Sequence, residues 1–484
     1  MPETIEPNTP LIAGIGFAQE RAENPAECEE PWRLMAHAVR GAAADAGSEA
    51  LLGHIESIAV PQGMWEYRNP GRLIAEAVGC PSARSILADL GVLQLSLVSD
   101  VCRAIAAGEQ HVGVITGGEA KFRELRAAIT GAPVSNTTQP EDTPAPDVHH
   151  TSSDPWATHL ESRAGLAGPV ELFAIMESAL RHADGLDVER HRDRLAELYS
   201  RFSAVAADNP HAWRREPLAP AAIRDPALGN AMLAFPYTKR HSSQWNVNQA
   251  VAILVCSAAR ASDLRLDRRG WVFPVAAAQS KHVVPLAQQR KLHSHAGTVR
   301  SGERALELAG LSVRDLDVAE LYSCFPAAIQ SFARDLGIPD GCPWTVTGAM
   351  PFAGGPYNSF SLEGVARMVE VLRDGSLGPG RRIGLVSNLS GIFGKQACAL
   401  FSNQPAHDGY RYADVTAEVA ASDPPVALDG DYAGPAAVVG YTVVFSGGAP
   451  SHAIAICDTP DGRRTVVRSE ERDLLAAMMR EEFC

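Results

Sequence analysis

The sequence contains the same order of elements twice: a helix that ends at glycine, followed by a short apolar strand. In the first half of the chain a helix over residues 92–108 precedes a strand over residues 111–118. In the second half a helix over residues 361–375 precedes a strand over residues 382–391. Strands rich in Val, Ile and Leu are typical of sheets that are buried on both faces. The repetition therefore predicts two similar halves of a layered α/β protein, which limits the folds open to the chain.

A second pair of segments repeats this order. A helix over residues 31–47 is followed by a strand over residues 55–60, and much later a helix over residues 300–310 is followed by a strand over residues 317–322. Each helix again ends at or next to glycine, the residue that most often closes a helix. The two halves thus match in more than one element.

The sequence between and after the halves has a different character. Residues 131–147 are rich in Pro, Thr and Asp, and helical segments such as residues 171–184 follow them. After about residue 405, short strands alternate with tight turns and a helix closes the chain. We therefore predict an N-terminal half over residues 1–120 and 246–265, a cover domain over 121–245, a C-terminal half over 266–405 and a small β-domain over 406–484.

Composition argues against several classes of function. The 484 residues include 43 Lys and Arg against 57 Asp and Glu, a net charge of −14, which disfavours general binding to nucleic acids or to anionic membranes. Nine cysteines without a C-x-x-C pair support neither a disulfide framework nor a metal site. No apolar run of about 18 residues occurs, and the start MPETIEPNTP lacks the features of a signal peptide. We expect a cytoplasmic protein.

Four segments, in this order and spacing, resemble the thiolase superfamily and within it the sterol-carrier-protein type: residues 104–119, 320–325, 347–356 and 387–391. The resemblance covers roughly the first 400 residues. It implies a thiolase fold, with two repeated βαβαβαββ halves in α/β/α/β/α layers. The added C-terminal part is similar to the extension of thiolase-like proteins of type 1. Its pattern predicts a small β-domain with a terminal helix, for which we expect an OB-like barrel.

The resemblance also implies where the catalytic groups of the family fall, and two of them are replaced. The nucleophilic cysteine corresponds to Gly91, and the histidine of the Gly-His-Pro turn corresponds to Gly355. The third motif, His-Asp-Cys-Phe, here reads Tyr-Ser-Cys-Phe over residues 322–325. Its Cys324 matches the acid/base cysteine of the sterol-carrier type. Conventional thiolase chemistry is therefore not expected.

Tyr322 and Cys324 remain the catalytic candidates, each with an alternative. An unperturbed thiol with a pKa of about 8.5 is only about 3% ionised at pH 7, and Gly355 leaves no base beside it. Cys324 is equally well explained as a small buried residue. Tyr322 either donates a hydrogen bond or a proton in place of the lost histidine, or it packs in the core or at its rim.

The remaining candidates belong to the substrate pocket or to a coenzyme A site. The pocket candidates are Asn246, Asn248, Gly354, Pro356, Tyr357 and Asn388. The asparagines are as well explained by turn capping. Residues 237–245 lie in the region that covers coenzyme A in thiolases, and they supply Lys239, Arg240 and His241 as candidates for binding phosphates. A solvated basic loop is the alternative.

Three functions stay open. The first is an acyl-CoA-binding protein of the acetyl-CoA acetyltransferase family in lipid or sterol metabolism, without conventional thiolase activity and without a further cofactor. The second is a carbon–carbon lyase that acts on a β-hydroxyacyl-CoA, with Tyr322 as acid/base and Tyr357 as a further candidate. The third is a non-catalytic scaffold whose C-terminal domain recruits a protein partner. Homodimerisation also stays open, because thiolases of this type commonly dimerise.

Overall fold

The strands form three sheets. The computed structural model describes residues 5–152, 155–166, 168–339 and 341–484. Within these residues the strands are, in chain order, β1 (Pro10–Gln19), β2 (Ser57–Pro61), β3 (Arg84–Ala88), β4 (Val112–Ala120), β5 (Val148–His150), β6 (Met232–Ala234), β7 (Tyr237–Thr238), β8 (Asn248–Ser257), β9 (Phe273–Ser280), β10 (Val318–Glu320), β11 (Ile383–Ser390), β12 (Lys395–Ser402), β13 (Arg411–Asp414), β14 (Ala437–Ser446), β15 (Ala449–Asp458) and β16 (Arg464–Ser469).

The helices follow the sequence signals for their ends. In the same order they are α1 (Pro31–Asp45), α2 (Pro70–Val78), α3 (Gln94–Ala106), α4 (Lys121–Thr130), α5 (His159–Ala164), α6 (Pro169–Ala183), α7 (Val188–Asp208), α8 (Pro220–Arg224), α9 (Ala258–Asp263), α10 (Ala296–Ala309), α11 (Pro326–Leu336), α12 (Met350–Ala353), α13 (Phe360–Arg373), α14 (Thr416–Ser422) and α15 (Arg472–Met478). Helix α2 begins behind Asn69, whose side chain accepts a hydrogen bond from the Arg72 N–H, and it ends at Gly79 with φ of 89°.

The first sheet has the strand order β1-β8-β4-β2-β3-β5. Strand β8 is antiparallel to β1 and to β4, whereas β4, β2, β3 and β5 run parallel to one another. All ten residues of β8 are buried. This is the pattern expected of a strand that is covered on both faces.

The second sheet, β10-β11-β12-β9-β13, repeats the arrangement of the first. Strand β12 lies antiparallel between β9 and β11, as β8 lies between β1 and β4, and β10 runs parallel to β11. Helices α10 and α13 repeat α1 and α3 in the order of elements. The two similar halves predicted from the sequence are confirmed.

A layer of two helices, α3 and α13, separates the two sheets. Residues of α3 and α13 form one core with Ile115 and Ile253 of the first sheet and with Val386 and Ala399 of the second. Helix α1 packs on the outer face of the first sheet, and α10 and α11 pack on the outer face of the second. The α/β/α/β/α order of layers is as expected.

The two halves differ in the connection before their last strand. The chain runs through residues 121–247 between β4 and β8, whereas residues 391–394 join β11 directly to β12. The long connection contains α4 to α8, as expected for an excursion over the first half. Its β5 pairs with β3 and so covers an edge of the first sheet, and its β6 pairs with β14.

The third sheet combines the C-terminal strands with strands of the long connection. Its order is β16-β15-β14-β6-β7. The outer strands β16 and β7 do not pair with each other in the described part of the chain, so the OB-like barrel is not confirmed. Helix α15 is the expected terminal helix, and the four domain boundaries stay a prediction. No helix within the described ranges is long and apolar enough to cross a membrane.

A buried arginine on α6 holds the C-terminal segment in place. The guanidinium of Arg181, which is 1% exposed, donates hydrogen bonds to both carboxylate oxygens of Glu482 at 2.7 and 3.1 Å and to the hydroxyl of Tyr441 at 2.7 Å. The third sheet and the chain terminus are thereby tied to α6.

Replacing Arg181 with Met is expected to lower the free energy of unfolding by about 1.5–3 kcal/mol, the range for hydrogen bonds to charged groups. Chemical denaturation followed by circular dichroism measures this loss. Arg468→Met is the control, because it removes an exposed pair with Glu470 at 2.9 Å and is expected to cost less than about 1 kcal/mol. Equal losses in the two variants would contradict the anchoring role.

Candidate functional site

The candidate site lies where β10 and β11 end side by side. Tyr322 follows β10, and its backbone N–H donates to the hydroxyl of Ser387 on β11 at 2.8 Å. The Tyr322 ring meets Phe360, the first residue of α13, edge-on at 6.1 Å between ring centroids. Ligand sites of layered α/β proteins commonly form at such strand ends. The structure thus places Tyr322 where a ligand is expected.

Cys324 lies beside Tyr322 and faces the short helix α12. Both side chains are partly buried and pack against Met350, Ala353 and Phe360. The backbone carbonyl of Cys324 accepts hydrogen bonds from the Ser243 N–H at 3.2 Å and from the Ser243 hydroxyl at 3.0 Å. The long connection therefore forms one wall of this pocket.

Both candidate groups keep their protons at neutral pH. Burial raises the pKa of the Cys324 thiol well above its ordinary value. Burial, followed by the nearby charge of Cys324 when that thiol is ionised, raises the pKa of the Tyr322 phenol. A protonated thiol is a poor nucleophile and a protonated phenol is a hydrogen-bond donor. The pocket therefore offers donors rather than a nucleophile.

A buried carboxyl group on β10 positions the turn that leads into α12. Glu320 accepts hydrogen bonds from the backbone N–H groups of Val346 at 2.6 Å and Thr347 at 2.9 Å, and from the hydroxyls of Thr345 and Thr347. Burial raises the pKa of Glu320 to about 7. Because Glu320 lies two residues before Tyr322, one strand fixes both the tyrosine and the opposite wall of the pocket.

Asn388 connects the second half to the start of α3. Its amide oxygen accepts from the Leu95 N–H at 3.1 Å, and its amide nitrogen donates to the side chain of Gln94 at 2.6 Å. Gln94 in turn donates to Asn358, which donates to the carbonyl of Gln62 at 3.1 Å. Asn388 therefore caps the N-terminus of α3, whereas the predicted alternative to ligand binding was capping of its own turn.

Other groups surround Gly91, the position that the resemblance assigns to the nucleophilic cysteine. Gly91 has a φ of 99°, and a Cβ atom there would lie 2.6 Å from the hydroxyl oxygen of Ser152. The Lys395 ammonium group donates to the Gly91 carbonyl at 3.0 Å and to the Ser152 hydroxyl at 2.8 Å. A side chain at Gly91 would thus be strained as well as crowded. Nothing in the local sequence around Lys395 indicates that it reaches this position.

The two glycines of the turn before Pro356 are not equivalent. Gly354 has a φ of 107°, and a Cβ atom there would lie 1.9 Å from the amide oxygen of Gln249. At Gly355 the nearest atoms, on Ser243 and Met350, are 3.4 Å or more from an added Cβ atom. The backbone conformation at position 354 therefore requires glycine. At position 355 a side chain would meet its neighbours at ordinary contact distances.

The other pocket candidates lie around this centre rather than in it. The Asn248 amide oxygen accepts from the Arg123 N–H at 2.9 Å at the start of α4. The carbonyl of Asn246 accepts from Gln244 at 3.1 Å. Pro356 lies in the turn itself, and its carbonyl accepts from the Ser359 hydroxyl at 2.9 Å. Tyr357 is 39% exposed, and burial of the rest of its ring raises its pKa.

The basic segment is not brought together as one cluster. His241 is 2% exposed, and burial lowers its pKa to about 4, so the ring is neutral at pH 7. Lys239 is exposed. The Arg240 guanidinium donates to the carbonyl of Ala222. His241 therefore belongs to the protein interior, and only Lys239 and Arg240 are available to a phosphate.

Two further arginines lie near Arg240 and were not indicated by any local sequence pattern. Burial, then the charges of Arg240 and Arg21, lower the pKa of Arg214. Arg21 donates to the Trp213 carbonyl at 2.9 Å and Arg214 donates to the Gln244 side chain at 2.7 Å. Within the described ranges, no ion pair joins any of these three guanidinium groups to a carboxylate. We call Arg21, Arg214 and Arg240 the arginine cluster.

The arginine cluster is linked to the pocket through Gln244. The Gln244 N–H donates to the Met350 carbonyl at 3.2 Å, and its carbonyl accepts from the Gly355 N–H at 2.9 Å. Cys324 packs on the other side of this α12 segment. The residues that the structure describes include no group of three or more His, Cys, Asp or Glu side chains that could hold a metal ion.

Comparison with known proteins agrees with this architecture, although no family model matches the chain. The acetyl-CoA acetyltransferase of Methanothermobacter thermautotrophicus is 25% identical over 280 residues, which span 54% of this chain and 68% of that protein. The monomeric SCP2-thiolase-like protein type 1 of Mycobacterium smegmatis is 25% identical, with a TM-score of 0.80 over 99% of this chain and 96% of its own. Both similarities support the resemblance of the chain to the thiolase superfamily.

The similarity to the mycobacterial structure includes the C-terminal residues, since it covers 99% of the chain. The Ltp2-ChsH2(DUF35) aldolase shares the fold, with a TM-score of 0.60 and 19% identity over 83% of this chain and 99% of that one. The first two similarities support the resemblance found in the sequence, and the third concerns the fold alone.

The two glycines of the turn are expected to respond differently to substitution. Gly354→Ala should lower the free energy of unfolding by about 1–3 kcal/mol, because a side chain is strained at its φ and meets Gln249. Gly355→Ala should change it by less than about 1 kcal/mol. Thermal unfolding of both variants tests this. Equal stability of the two would show that the turn is not held in this conformation.

Proposed function

We propose that the protein binds an acyl-CoA or a related thioester, with the thioester against Tyr322 and Cys324 and the phosphates at the arginine cluster, and that it lacks conventional thiolase activity. The observation that carries the proposal is the position of three arginines without carboxylate partners beside the Cys324 pocket. The name of the archaeal relative, acetyl-CoA acetyltransferase, supports the class of ligand.

Charge supports the placing of the phosphates. The chain has a net charge of −14, so an anionic ligand needs a local excess of positive charge. The arginine cluster provides one, since no carboxylate of the described residues pairs with it. Burial, then the charges of Arg240 and Arg21, lower the pKa of Arg214. Guanidinium groups bind phosphate through charge-assisted hydrogen bonds. Nearby Trp245 is 48% exposed and offers a ring face to an adenine base.

The pocket supports binding more strongly than acyl transfer. Gly91 and Gly355 carry neither the thiol nor the imidazole that thiolases use, and Cys324 keeps its proton. The Cys324 thiol and the Tyr322 hydroxyl are instead suited to donate hydrogen bonds to a thioester oxygen. We therefore expect no thiolysis of acetoacetyl-CoA and no condensation of acetyl-CoA.

Arg214→Gln is expected to weaken acetyl-CoA binding by roughly tenfold to a hundredfold, because one charge-assisted contact to phosphate contributes about 1.5–3 kcal/mol. Isothermal titration calorimetry measures the affinity. Arg215→Gln is the matched control, since Arg215 is exposed and donates only to the carbonyl of Ala207. The affinity of the Arg215→Gln variant for acetyl-CoA should stay within about threefold of the affinity of the unchanged protein.

Equal affinities of the Arg214→Gln and Arg215→Gln variants would show that the arginine cluster does not bind the phosphates. Absence of any binding of coenzyme A or acyl-CoA to the unchanged protein would overturn the proposal as a whole. Robust condensation of acetyl-CoA, followed by the absorbance of the thioester enolate, would overturn the expected loss of thiolase activity.

A second candidate function is cleavage of a β-hydroxyacyl-CoA by a retro-aldol reaction. It is favoured by the Tyr322 hydroxyl, which has no hydrogen-bond partner in the part of the chain that the structure describes. In such a cleavage the bond between the α and β carbons breaks, the β-hydroxyl loses its proton to become a carbonyl, and the α carbon gains a proton. A phenol that donates one proton and accepts the other can serve both steps.

If the protein is a lyase, Tyr322→Phe should reduce turnover of a β-hydroxyacyl-CoA by about 10²–10⁴-fold, because only the proton-carrying hydroxyl is lost. Chromatographic detection of the carbonyl and acyl-CoA products measures turnover. Tyr432→Phe serves as the control, because it removes a hydroxyl that donates to the Pro435 carbonyl at 2.6 Å in the C-terminal part of the chain. Turnover that is unaffected by Tyr322→Phe would rule out Tyr322 as the acid/base of the reaction. If the unchanged protein shows no turnover, acyl-CoA binding is the remaining proposed function.

A further inference from the structure

A second polar cavity lies at the start of α10, apart from the Cys324 pocket. It has a volume of about 20 Å³, and its lining includes Gln289, His295, Gly297, Phe393 and Gln396. Four of its lining residues, namely Lys291, Ser294, Ala296 and Asp423, also line a larger cleft of about 630 Å³. The cavity therefore forms the inner end of a cleft that is large enough for a small molecule.

Three buried side chains of this cavity carry polar atoms that no described protein group satisfies. These atoms are the amide oxygens of Gln289 and Gln396 and the Nε2 atom of His295. The three residues are 6%, 2% and 4% exposed, respectively. Leaving buried polar atoms without hydrogen bonds costs about 1–3 kcal/mol each. Three such atoms around one cavity point to a bound molecule.

The orientation of both glutamine amides is fixed by their nitrogen atoms. The Gln289 amide nitrogen donates to the carbonyls of Val284 at 3.0 Å and Ile392 at 3.1 Å. The Gln396 amide nitrogen donates to the carbonyl of Phe393. Turning either amide would bring its oxygen against carbonyl oxygens. Two residues that line the cavity thus keep amide oxygens free to accept a hydrogen bond, and a molecule that they bind must be a donor.

The inner end of the cavity, at His295 and the two glutamines, is neutral, whereas Lys291 and Asp423 line the part that it shares with the larger cleft. The His295 ring stacks on Phe393 with ring centroids 3.9 Å apart and planes 12° from parallel. Burial, followed by the charge of His293, lowers the pKa of His295 to about 3. The same burial disfavours a charged ligand, since moving an ion from water into such a place is costly. At the rim, Arg300 is paired with Glu418 at 2.6 Å.

The start of α10 adds hydrogen-bond donors to the cleft. His295 precedes the first turn of this 14-residue helix, and no side chain caps it. The first backbone N–H groups of a helix have no partner within the helix. Gly297 in this turn lets the Gln396 amide oxygen approach closely, because a Cβ atom there would lie 2.0 Å from that oxygen. Acceptors and donors thus lie next to each other.

We propose that this cavity is a binding site for the hydroxyl or primary amide group of a small neutral molecule, and that one water molecule takes its place when no ligand is bound. A cavity holds one water when it offers about 10–15 Å³ and two to four polar partners, and both conditions are met. A primary amide fits best, because its nitrogen donates to both glutamine oxygens and its carbonyl accepts from the start of α10 or from His295.

The test uses crystals of the full-length protein without additive and after soaking with acetamide, ethanol, methylammonium or acetate at one concentration. Without additive, an ordered water within hydrogen-bond distance of the three atoms is expected. Acetamide should replace it with its nitrogen between the glutamine oxygens, and ethanol should place its hydroxyl there. Methylammonium and acetate should not enter. Entry of either ion instead of acetamide would overturn the proposed chemistry.

Saturation-transfer NMR with acetamide tests the same site in solution. Gln396→Met removes one acceptor at nearly constant size and should weaken binding at least tenfold. His295→Phe keeps the stack on Phe393 and loses only the ring nitrogens, so it should weaken binding less. Unchanged binding in Gln396→Met, acetamide bound at crystal concentration only, or a cavity without ordered water in additive-free crystals would each contradict the proposal.

Discussion

The burial of α3 and α13 between two sheets fixes the position of every group in the candidate site. A helix with sheets on both sides cannot rotate or slide without breaking the packing of both, because protein interiors are close-packed. The first residues of α3 and α13 therefore meet the ends of β10 and β11 at one place. Tyr322, Phe360 and Asn388 lie there because of this packing, although they are up to 66 residues apart in the sequence.

Polar groups at this meeting point join the layers through hydrogen bonds. Asn388 comes from β11 and closes the start of α3, and Gln94 and Asn358 continue the hydrogen-bond chain to the start of α13. Glu320 on β10 holds the turn before α12 by accepting hydrogen bonds from the backbone N–H groups of Val346 and Thr347. Burial of this kind explains why Cys324 and Tyr322 hold their protons, since removing water disfavours the charged form of either group. The guanidinium groups of the arginine cluster make their hydrogen bonds outside this network, to Trp213, Gln244 and Ala222.

Much of the fold was predictable because it depends on local patterns. Apolar runs and closing glycines placed α3, β4, α13 and β11 within two or three residues of their bounds in the structure. The OB-like barrel was not predictable, since closure depends on whether distant strands pair. Strands β6 and β7, which are only three and two residues long, gave no recognisable pattern of their own. They join the C-terminal strands through a single paired position, Val444 with Ala234.

The sequence by itself determined the layered α/β architecture and its repeat, because periodicity is a local property. The correspondence of Gly91 and Gly355 to the thiol and imidazole positions of thiolases stays a prediction from the resemblance. The tertiary structure decided which charged and polar side chains share a site. It moved His241 into the interior, brought Arg21 and Arg214 to Arg240, and placed Lys395 at Gly91. It also placed Gln289 and Gln396 at one cavity. The physical reason is that hydrogen bonds and electrostatic interactions act over a few ångströms in space and carry no information about separation along the chain.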